Sequence, residues 1–239
     1  MSGHRLANDL QLLLFDIDGT LLLSGGAGLR ALNQAFADLF AIENAFEGIP
    51  VAGRTDPLLL RDATARAGIA LDGGQRQAFH DRYCDLLELE IRQPGPRKGL
   101  MPGVEALLDL LHHHPEVCVA LLTGNFARAA QIKLEHFGLW RFFVCGAFGD
   151  DAAERDELVP VAVERARTAG VVPRSPSHVV VIGDTPLDIR CATVSGARSI
   201  AVATGSFGVQ TLDANGATAV LPDLSDPEAF LAVLDDDAG

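Results

Sequence analysis

Two short acidic segments each follow a run of four apolar residues in this chain of 239 residues. The first contains Asp16 and Asp18, and the second contains Asp184 and Asp188. Such apolar runs are typical of buried strands in a parallel sheet, and ligands bind beyond the carboxyl ends of those strands. We therefore expect three or four carboxylates to meet in one cleft, where their mutual repulsion calls for a bound cation.

The spacing within the first segment, Asp16-Ile17-Asp18-Gly19-Thr20, suits two different chemical roles. Residues two apart on an extended chain share a face, so the two carboxylates would lie about 6.6 Å apart. One can then act as a nucleophile while the other moves a proton. Because Asp-x-Asp-Gly is also common in turns, the segment alone favours this function only modestly.

The second segment predicts a helix that starts directly after a strand. Thr185 is a favoured N-cap and Pro186 a favoured first helical residue, which places Asp188 in the first turn. An acidic residue there also complements the helix dipole, so this position does not by itself require a ligand role. Oxygen ligands of this kind suit a hard cation such as Mg²⁺, which keeps positions for water and a substrate phosphate.

The composition is that of a globular protein with no general affinity for polyanions. Hydrophobic residues make up 48% of the chain, enough for one large or two modest domains, and the formal net charge is −13. That charge argues against nucleic acid as a partner but allows a small phosphorylated substrate in a locally positive pocket. No apolar run reaches membrane-spanning length, and residues 1–5 lead into no signal region. The four scattered cysteines predict free thiols in a reducing cytoplasm, so we expect a cytoplasmic protein without a membrane partner.

Apolar runs and helical patterns alternate through most of the chain. Strands are predicted at residues 10–15, 117–122, 142–148, 179–182, 199–203 and 217–221. Helices are predicted between them at residues 103–113, 127–137, 157–169 and 187–195. This alternation predicts an α/β fold built on a doubly wound parallel sheet.

One interval, after the first strand, breaks this alternation. Three amphipathic helices and no strand are predicted there, at residues 28–40, 57–67 and 74–91. A linker rich in Pro and Gly, residues 93–99, then returns the chain to the alternating pattern. We therefore predict an α/β core of residues 1–22 and 99–239 and an inserted helical cap of residues 23–98. The chain would cross between core and cap twice, which favours a cap that acts as a hinged lid. The alternative is a fixed helical subdomain.

The order of the motifs resembles that of a known family. The matching segments are Asp16-Ile17-Asp18-Gly19-Thr20, the helical insertion, Thr123-Gly124-Asn125, and the stretch from Gly183-Asp184 to Asp188. Together they resemble the haloacid dehalogenase-like hydrolase superfamily, most closely its phosphoglycolate phosphatase-like members with a helical cap. The resemblance covers almost the whole chain, and the motifs are specific in order and spacing although each is weak singly. It implies a Rossmann-like core and a phosphatase activity.

The resemblance also implies a role for each acidic residue. Asp16 would be the nucleophile that forms an aspartyl-phosphate, and Asp18 the general acid and then the general base. Mg²⁺ would be held by the Asp16 carboxylate, the Asp18 main-chain carbonyl and Asp184, with Asp188 helping directly or through water. Dehalogenases of this type lack the second Asp, so the presence of Asp18 favours a phosphatase.

A third segment, Thr123-Gly124-Asn125, is expected to bind the phosphate. Thr123 ends a predicted strand, and a helix is predicted to follow from about residue 126. The hydroxyl of Thr123 and the nearby amide hydrogens can hold a phosphate at this helix start. Asn125 is equally suited to cap the helix, and the two roles are compatible.

The family's remaining motif is a Lys that neutralises the nucleophile and the phosphate, and this chain departs from it. The corresponding stretch, residues 154–160, offers Arg155, whose planar fork suits phosphate. Lys133, on the preceding helix, is the other candidate. Its neighbours Ile132 and Leu134 favour a solvated helix face for Lys133, so we predict Arg155 as the positive partner.

The cap contains one candidate substrate contact. Residues 53–57 begin a predicted helix and resemble the family's substrate-facing cap loop. Arg54 could contact a second anionic group on the substrate. The same residues also form an ordinary helix start, with Asp56 as the N-cap beside Pro57.

Two further groups are weaker candidates. Asp150 and Asp151 follow another strand and could border the metal site, although acidic residues before a helix are common. Residues 25–28, Gly-Gly-Ala-Gly, resemble a dinucleotide loop but do not follow a strand directly, so we predict a flexible hinge.

These expectations combine into one function. We expect a Mg²⁺-dependent phosphomonoester hydrolase that acts through an aspartyl-phosphate on a small metabolite, with phosphoglycolate as the family's example. One alternative is a sugar phosphomutase like β-phosphoglucomutase, whose aspartyl-phosphate passes to a sugar. The other is a protein that binds Mg²⁺ and phosphate without turnover, which Asp18 disfavours because a pure phospho-acceptor gains stability by lacking a hydrolytic base.

Overall fold

The structure, a computed structural model, describes residues 10–235. Its strands are β1 Gln11–Phe15, β2 Leu22–Leu23, β3 Gly99–Leu100, β4 Val117–Leu122, β5 Gly146–Ala147, β6 Val179–Gly183, β7 Arg198–Val202 and β8 Ala219–Leu221. Six of them form one parallel sheet in the order β5-β4-β1-β6-β7-β8. The chain builds outward from β1 in one direction and then in the other, which confirms the predicted doubly wound α/β fold. Residues 1–5 and the ends of the predicted core lie outside the described range.

Helices cover both faces of this sheet. Those described are α1 Ala27–Phe40, α2 Asp56–Ala67, α3 Gly73–Glu90, α4 Val104–His112, α5 Ala127–His136, α6 Leu158–Thr168, α7 Pro186–Val194, α8 Val209–Ala214 and α9 Pro227–Asp235. Leu13 and Phe15 point to a core shared with α4, α5 and α9. Leu12 and Leu14 point to the opposite core, shared with α6 and α7. This alternation along β1 explains why the strand is apolar throughout: both of its faces are buried.

Helices α1, α2 and α3, here called the cap, pack around a separate apolar cluster. Its centre is aromatic: Phe36 meets Phe46 edge-on, and Phe79 stacks with Tyr83 at a centroid distance of 6.4 Å. All four rings are fully buried. The three helices share this apolar cluster with Phe126 and Ala129 at the start of α5. The helical insertion with boundaries at residues 22/23 and 98/99 stays a prediction.

The chain enters and leaves the cap side by side. Leu22–Leu23 and Gly99–Leu100 pair as an antiparallel ribbon, and neither of these strands was predicted. Beyond the ribbon, the two linkers touch: a Cβ on Gly95 would lie 2.1 Å from the carbonyl oxygen of Gly25. The predicted hinge at residues 25–28 is wrong in extent, since α1 begins at Ala27 and only the first two glycines lie outside it.

Other departures from the predicted elements occur at the sheet edge and near the end of the chain. The predicted strand 142–148 is wrong in extent: a 3₁₀ turn occupies Trp140–Phe142, and the edge strand β5 has two residues. The helices α8 and α9 were not predicted. All four cysteines are free, as expected, with Cys84, Cys118 and Cys191 buried. None of the helices described between residues 10 and 235 is long and apolar enough to cross a membrane.

Candidate active site

Three neighbouring strands deliver the predicted site residues to one edge of the sheet. Asp16 follows β1, Thr123 follows β4 and Asp184 follows β6. The amide of Asp16 donates to the carbonyl of Ile182 over 2.9 Å, which continues the β1–β6 pairing by one residue. Because these strands are parallel and adjacent, their carboxyl ends meet, and residues more than 160 positions apart in the chain become neighbours.

The structure brings three of the predicted carboxylates together. Asp16, Asp184 and Asp188 are all buried and can each offer an oxygen within 4.8 Å of the others. Burial, together with the charges of Asp188 and Asp16, raises the pKa of Asp184 to about 8. Burial likewise raises the pKa of Asp16 to about 6, although Arg155 opposes the shift. Asp184 therefore needs an additional nearby positive charge to be ionised near neutral pH.

Asp184 lies in a tight cradle of backbone. A Cβ on Gly205 would lie 1.7 Å from its Oδ2 atom, and a Cβ on Gly19 would lie 2.5 Å from the same atom. The hydroxyl of Thr20 donates to its Oδ1 atom over 3.3 Å. The contacts described give this carboxylate a single side-chain hydrogen bond, so it keeps lone pairs that can bind a ligand.

Asp188, by contrast, has both oxygens engaged. Its Oδ2 atom accepts hydrogen bonds from the amide of Thr185 (3.0 Å) and from its hydroxyl (2.6 Å). Its Oδ1 atom pairs with Arg155. Thr185 is the N-cap of α7 and Pro186 its first residue, as predicted. A carboxylate held in this way is suited to orient a water or a neighbouring ligand.

Arg155 lies at the centre of the site. Its side chain is only 5% exposed, and it pairs with Asp16 Oδ1 at 3.1 Å and with Asp188. It also donates to the carbonyl oxygens of Leu122 and Gly53, each at 3.2 Å, so it contacts both the core and the cap. Burial lowers the pKa of Arg155, but the two carboxylates outweigh this effect and hold it above its ordinary value. The predicted positive partner is thus beside the predicted nucleophile.

Lys133 also lies in the site, and the prediction of a solvated helix face for it is wrong. The residue is only 4% exposed. Its Nζ atom donates to Asp18 Oδ2 and to Asn125 Oδ1, each at 2.6 Å. The side-chain amide of Asn125 donates to the same Asp18 oxygen over 2.8 Å. Lys133 therefore pairs with Asp18, while Arg155 pairs with Asp16 and Asp188, so Asp16 and Asp18 have different cationic partners.

A pattern in α5 could have placed Lys133 correctly. Its buried residues are Ala129, Ala130, Lys133 and Leu134, which follow the spacing of one helix face. The expectation for Lys133 rested on Ile132 and Leu134 alone, although Leu134 lies on this same buried face. Small residues three and four positions before a lysine on that face were the missed signal.

The loop Thr123-Gly124-Asn125 lies between the acidic residues and the cap. The hydroxyl of Thr123 accepts hydrogen bonds from the amide of Asn125 (3.3 Å) and from its side chain (2.8 Å). The carbonyl oxygen of Gly124 accepts from the amide of Asp56 over 2.7 Å. A Cβ on Gly124 would lie 2.3 Å from the carbonyl oxygen of Arg54, so this close approach requires glycine.

The cap loop is docked onto this edge of the core, and the prediction of Asp56 as N-cap is wrong. Thr55 is the N-cap of α2, and its hydroxyl donates to the carbonyl of Ala153 in the core. Asp56 is the first helical residue, and its carboxylate accepts from the amide of Phe126 over 2.9 Å. Burial raises the pKa of Asp56 to about 6, against the opposing charge of Lys133. The Asp56 carboxylate thus accepts a hydrogen bond at the start of α5, a helix of the core.

Arg54 lines the same cavity but already has partners. Its guanidinium pairs with Asp62 Oδ2 at 2.6 Å and donates to the carbonyl of Pro50. The cavity has a volume of about 290 Å³ and lies between cap and core. Asp16, Asp18, Thr123 and Arg155 line it as well, so a molecule within it would reach the predicted reacting groups.

Asp150 and Asp151, the weaker metal candidates, are occupied elsewhere. Asp150 accepts a hydrogen bond from the amide of Ala127 at the start of α5. Asp151 forms a two-point ion pair with Arg165, with both distances 2.6 Å. Neither belongs to the carboxylate group formed by the three buried aspartates.

The buried carboxylates fit a hard divalent cation. Their donor atoms are all carboxylate oxygens, as Mg²⁺ prefers, and their spacing allows one ion to contact more than one of them. Burial and the neighbouring carboxylates raise the pKa of Asp184, and a divalent cation bound beside it would favour its ionised form.

Comparison with known proteins agrees with this geometry. A model of the haloacid dehalogenase-like hydrolase family matches residues 13–193. The chain belongs to this family. The match extends from β1 into α7 and so includes the aspartates, the Thr123-Gly124-Asn125 loop and the cap, which confirms the resemblance drawn from the motifs.

Curated relatives in this family are phosphatases. The chain is 28% identical over 188 residues to the phosphoglycolate phosphatase of Cereibacter sphaeroides (strain ATCC 17025), covering 78% of this chain and 82% of the relative. It is 27% identical over 234 residues to that of Vibrio parahaemolyticus, covering 94% and 97%. The prediction of a hydrolase is confirmed, and these relatives support a phosphatase.

Solved structures share the fold at lower identity. A crystal structure of a hydrolase from Pseudomonas syringae superposes with a TM-score of 0.66 at 22% identity, covering 93% of this chain and 98% of that one. A structure of CbbY from Rhodobacter sphaeroides in complex with phosphate superposes with a TM-score of 0.65 at 21% identity, covering 91% and 96%. These matches establish that the core and the cap together follow one known architecture.

Proposed function

We propose that the protein is a phosphomonoester hydrolase in which Asp16 is the nucleophile and Mg²⁺ the cofactor. The observation that carries the proposal is the separate neutralisation of two aspartates: Arg155 pairs with Asp16, and Lys133 pairs with Asp18. A nucleophile and a proton carrier need different environments, and this arrangement supplies them. The family and its phosphatase relatives support the same activity.

The proposed cation site comprises Asp16 and Asp184, with Asp188 acting through water. Asp184 has oxygens available for a ligand, whereas both oxygens of Asp188 are hydrogen-bonded or paired. The Asp18 main-chain carbonyl, implied by the family resemblance, completes the proposed set. Bound there, the cation supplies neutralisation of the substrate phosphate and polarisation of its oxygens.

The proposed reaction has two steps on the same phosphorus. An oxygen of Asp16 attacks it and the bond to the alcohol oxygen breaks, while Asp18, which enters this step in its protonated form, gives its proton to the leaving alcohol oxygen. Asp18 then takes a proton from a water that attacks the aspartyl-phosphate, and the bond to Asp16 breaks to release phosphate. Arg155 and the Thr123-Gly124-Asn125 loop hold the phosphoryl oxygens, and the docked cap excludes bulk water.

The test is phosphate release from small phosphate esters, with and without Mg²⁺, by the unchanged protein and by Asp16→Asn. We expect Mg²⁺-dependent release that the variant loses by at least about 10³-fold, because no other nucleophile replaces the carboxylate. An Asp16→Asn protein with near-normal turnover would refute the mechanism. Isomerisation of a sugar phosphate without phosphate release would favour the mutase, and a long-lived phosphorylated Asp16 with slow turnover of every ester would favour a phosphate-binding protein.

A further inference from the structure

The lining of the cavity is mainly apolar. Its apolar side chains include Leu29 and Leu32 of α1, Leu59 of α2, and Val51 and Ala52 between these helices. Leu29 is 41% exposed and Val51 44% exposed, and both of these large apolar residues line the cavity. Apolar surface that a binding site leaves exposed is typically covered by an apolar part of the ligand.

The cationic side chains that line the cavity already have carboxylate partners. Among the described residues, three cations line it, and each is paired with a carboxylate: Arg155 with Asp16 and Asp188, Lys133 with Asp18, and Arg54 with Asp62. A phosphate dianion would add further negative charge, for which the cation site supplies compensation. A second anionic group on the substrate would find no uncommitted positive charge.

A cap carboxylate also disfavours a second anion. Asp56 lines the cavity, is 6% exposed, and accepts one hydrogen bond from the amide of Phe126. With a pKa of about 6, it is ionised at neutral pH. A substrate carboxylate placed beside it would be repelled and would also lose its own hydration.

We infer that the substrate is a small phosphomonoester whose organic part is uncharged and partly apolar, and that a second anionic group such as a carboxylate is selected against. This inference rests on the proposed hydrolase function and names the substrate class of that site. The cavity volume of about 290 Å³ lies at the lower end for ligand sites, so the organic part is limited to a few carbon atoms.

The test compares esters of matched size that differ in charge. Phosphoglycolate carries a carboxylate where hydroxyethyl phosphate carries an uncharged hydroxymethyl group, and propyl phosphate adds an apolar end. With the Mg²⁺-loaded protein, we expect kcat/KM to be at least tenfold higher for hydroxyethyl and propyl phosphate than for phosphoglycolate. Equal or higher kcat/KM for phosphoglycolate would overturn the inference while leaving the hydrolase function intact.

A second measurement uses the ion pair at the cavity. Asp62→Asn removes the partner of Arg54 with almost no change in shape, and the freed guanidinium can then bind a substrate carboxylate. We expect kcat/KM for phosphoglycolate to rise at least fivefold, and that for hydroxyethyl phosphate to change less than twofold. Asp38→Asn is the matched control, because Asp38 pairs with Arg82 on the cap and does not line the cavity.

The outcomes separate the inference from the function on which it rests. If Asp62→Asn raises kcat/KM for all esters alike, or for none, the charge argument is wrong. If none of the three esters releases phosphate in a manner that requires Asp16, the proposed function fails and the inference fails with it. A higher kcat/KM for the neutral esters than for phosphoglycolate, with a smaller difference in the Asp62→Asn protein, supports both the inference and the proposed function.

Discussion

Replacing Lys133 by Met removes a charge from Asp18 while retaining an unbranched side chain. In the unchanged protein, Nζ of Lys133 lies 2.6 Å from Asp18 Oδ2 and from Asn125 Oδ1. Breaking a buried ion pair typically costs about 3–5 kcal/mol. The side chain of Asp18 is 40% exposed and can be rehydrated, so we expect a smaller loss of about 1–2 kcal/mol in the free energy of unfolding.

The larger effect of Lys133→Met is expected on catalysis. Proton transfer by a well-placed group contributes about 10²- to 10⁴-fold, and the variant leaves Asp18 held by Asn125 alone. We therefore expect kcat/KM for ethyl phosphate to fall by about 10²-fold. Acetyl phosphate has a leaving group that needs no proton, so its kcat/KM should fall by less than about tenfold. KM should change little, because Lys133 acts through Asp18 rather than on the phosphate.

The assay is steady-state phosphate release from both esters, with circular dichroism to verify that the variant is folded. Gln131→Met is the control, since Gln131 is exposed on the same helix and bonds only Glu135 among the contacts described. An equal loss of kcat/KM for both esters, or a loss confined to KM, would refute the reasoning. Lys133 would then bind the phosphate directly.

Two further predictions concern the cation site. Gly205→Ala should reduce Mg²⁺-dependent activity by about 10²-fold or more, because the added Cβ would lie 1.7 Å from Asp184 Oδ2 and displace this oxygen. Gly208→Ala is the control and should leave the activity unchanged, because no atom lies near the added Cβ. A fully active Gly205→Ala protein would show that the position of Asp184 does not depend on the close approach of Gly205. The folded pKa of Asp184, about 8, exceeds its ordinary 3.8, so the metal-free protein should lose stability as the pH rises between these values. Mg²⁺ must displace the proton of the Asp184 carboxyl to bind there, so its binding should strengthen as the pH rises. In thermal-shift measurements, the increase in Tm on adding Mg²⁺ should therefore grow between about pH 6 and about pH 8.5. An increase in Tm that is independent of pH would contradict the assignment of Asp184 as a cation ligand.

The acidic residues were predictable because strand ends determine where they lie. Asp16 and Asp184 follow unbroken apolar runs, and parallel pairing of β1 with β6 is sufficient to bring them together. The start of α7 was equally predictable from Thr185 and Pro186, whose local chemistry dictates the turn. In these cases the decisive interactions are local or follow from the sheet alone.

The cap contacts and the cation pairing were harder to predict. Asp56 has the sequence of a helix cap, and only the docking of the cap onto Phe126 gives its carboxylate another partner. Lys133 is directed inward by packing of α5 against the cap, which its apolar neighbours do not reveal. Both residues depend on contacts between segments that the sequence does not place relative to one another.

The paired entry and exit of the cap have a consequence for how such proteins can change. Leu22 and Leu23 lie directly opposite Leu100 and Gly99, so the chain leaves and rejoins the core at nearly the same point. The core therefore encloses no gap that the insertion has to span, and the length of the inserted segment adds little entropy cost to closing it. The cap segment can therefore be exchanged for another without changing how the core is connected. A different helical segment joined at this ribbon would present a new wall to the same aspartates without disturbing the register of any strand in the main sheet.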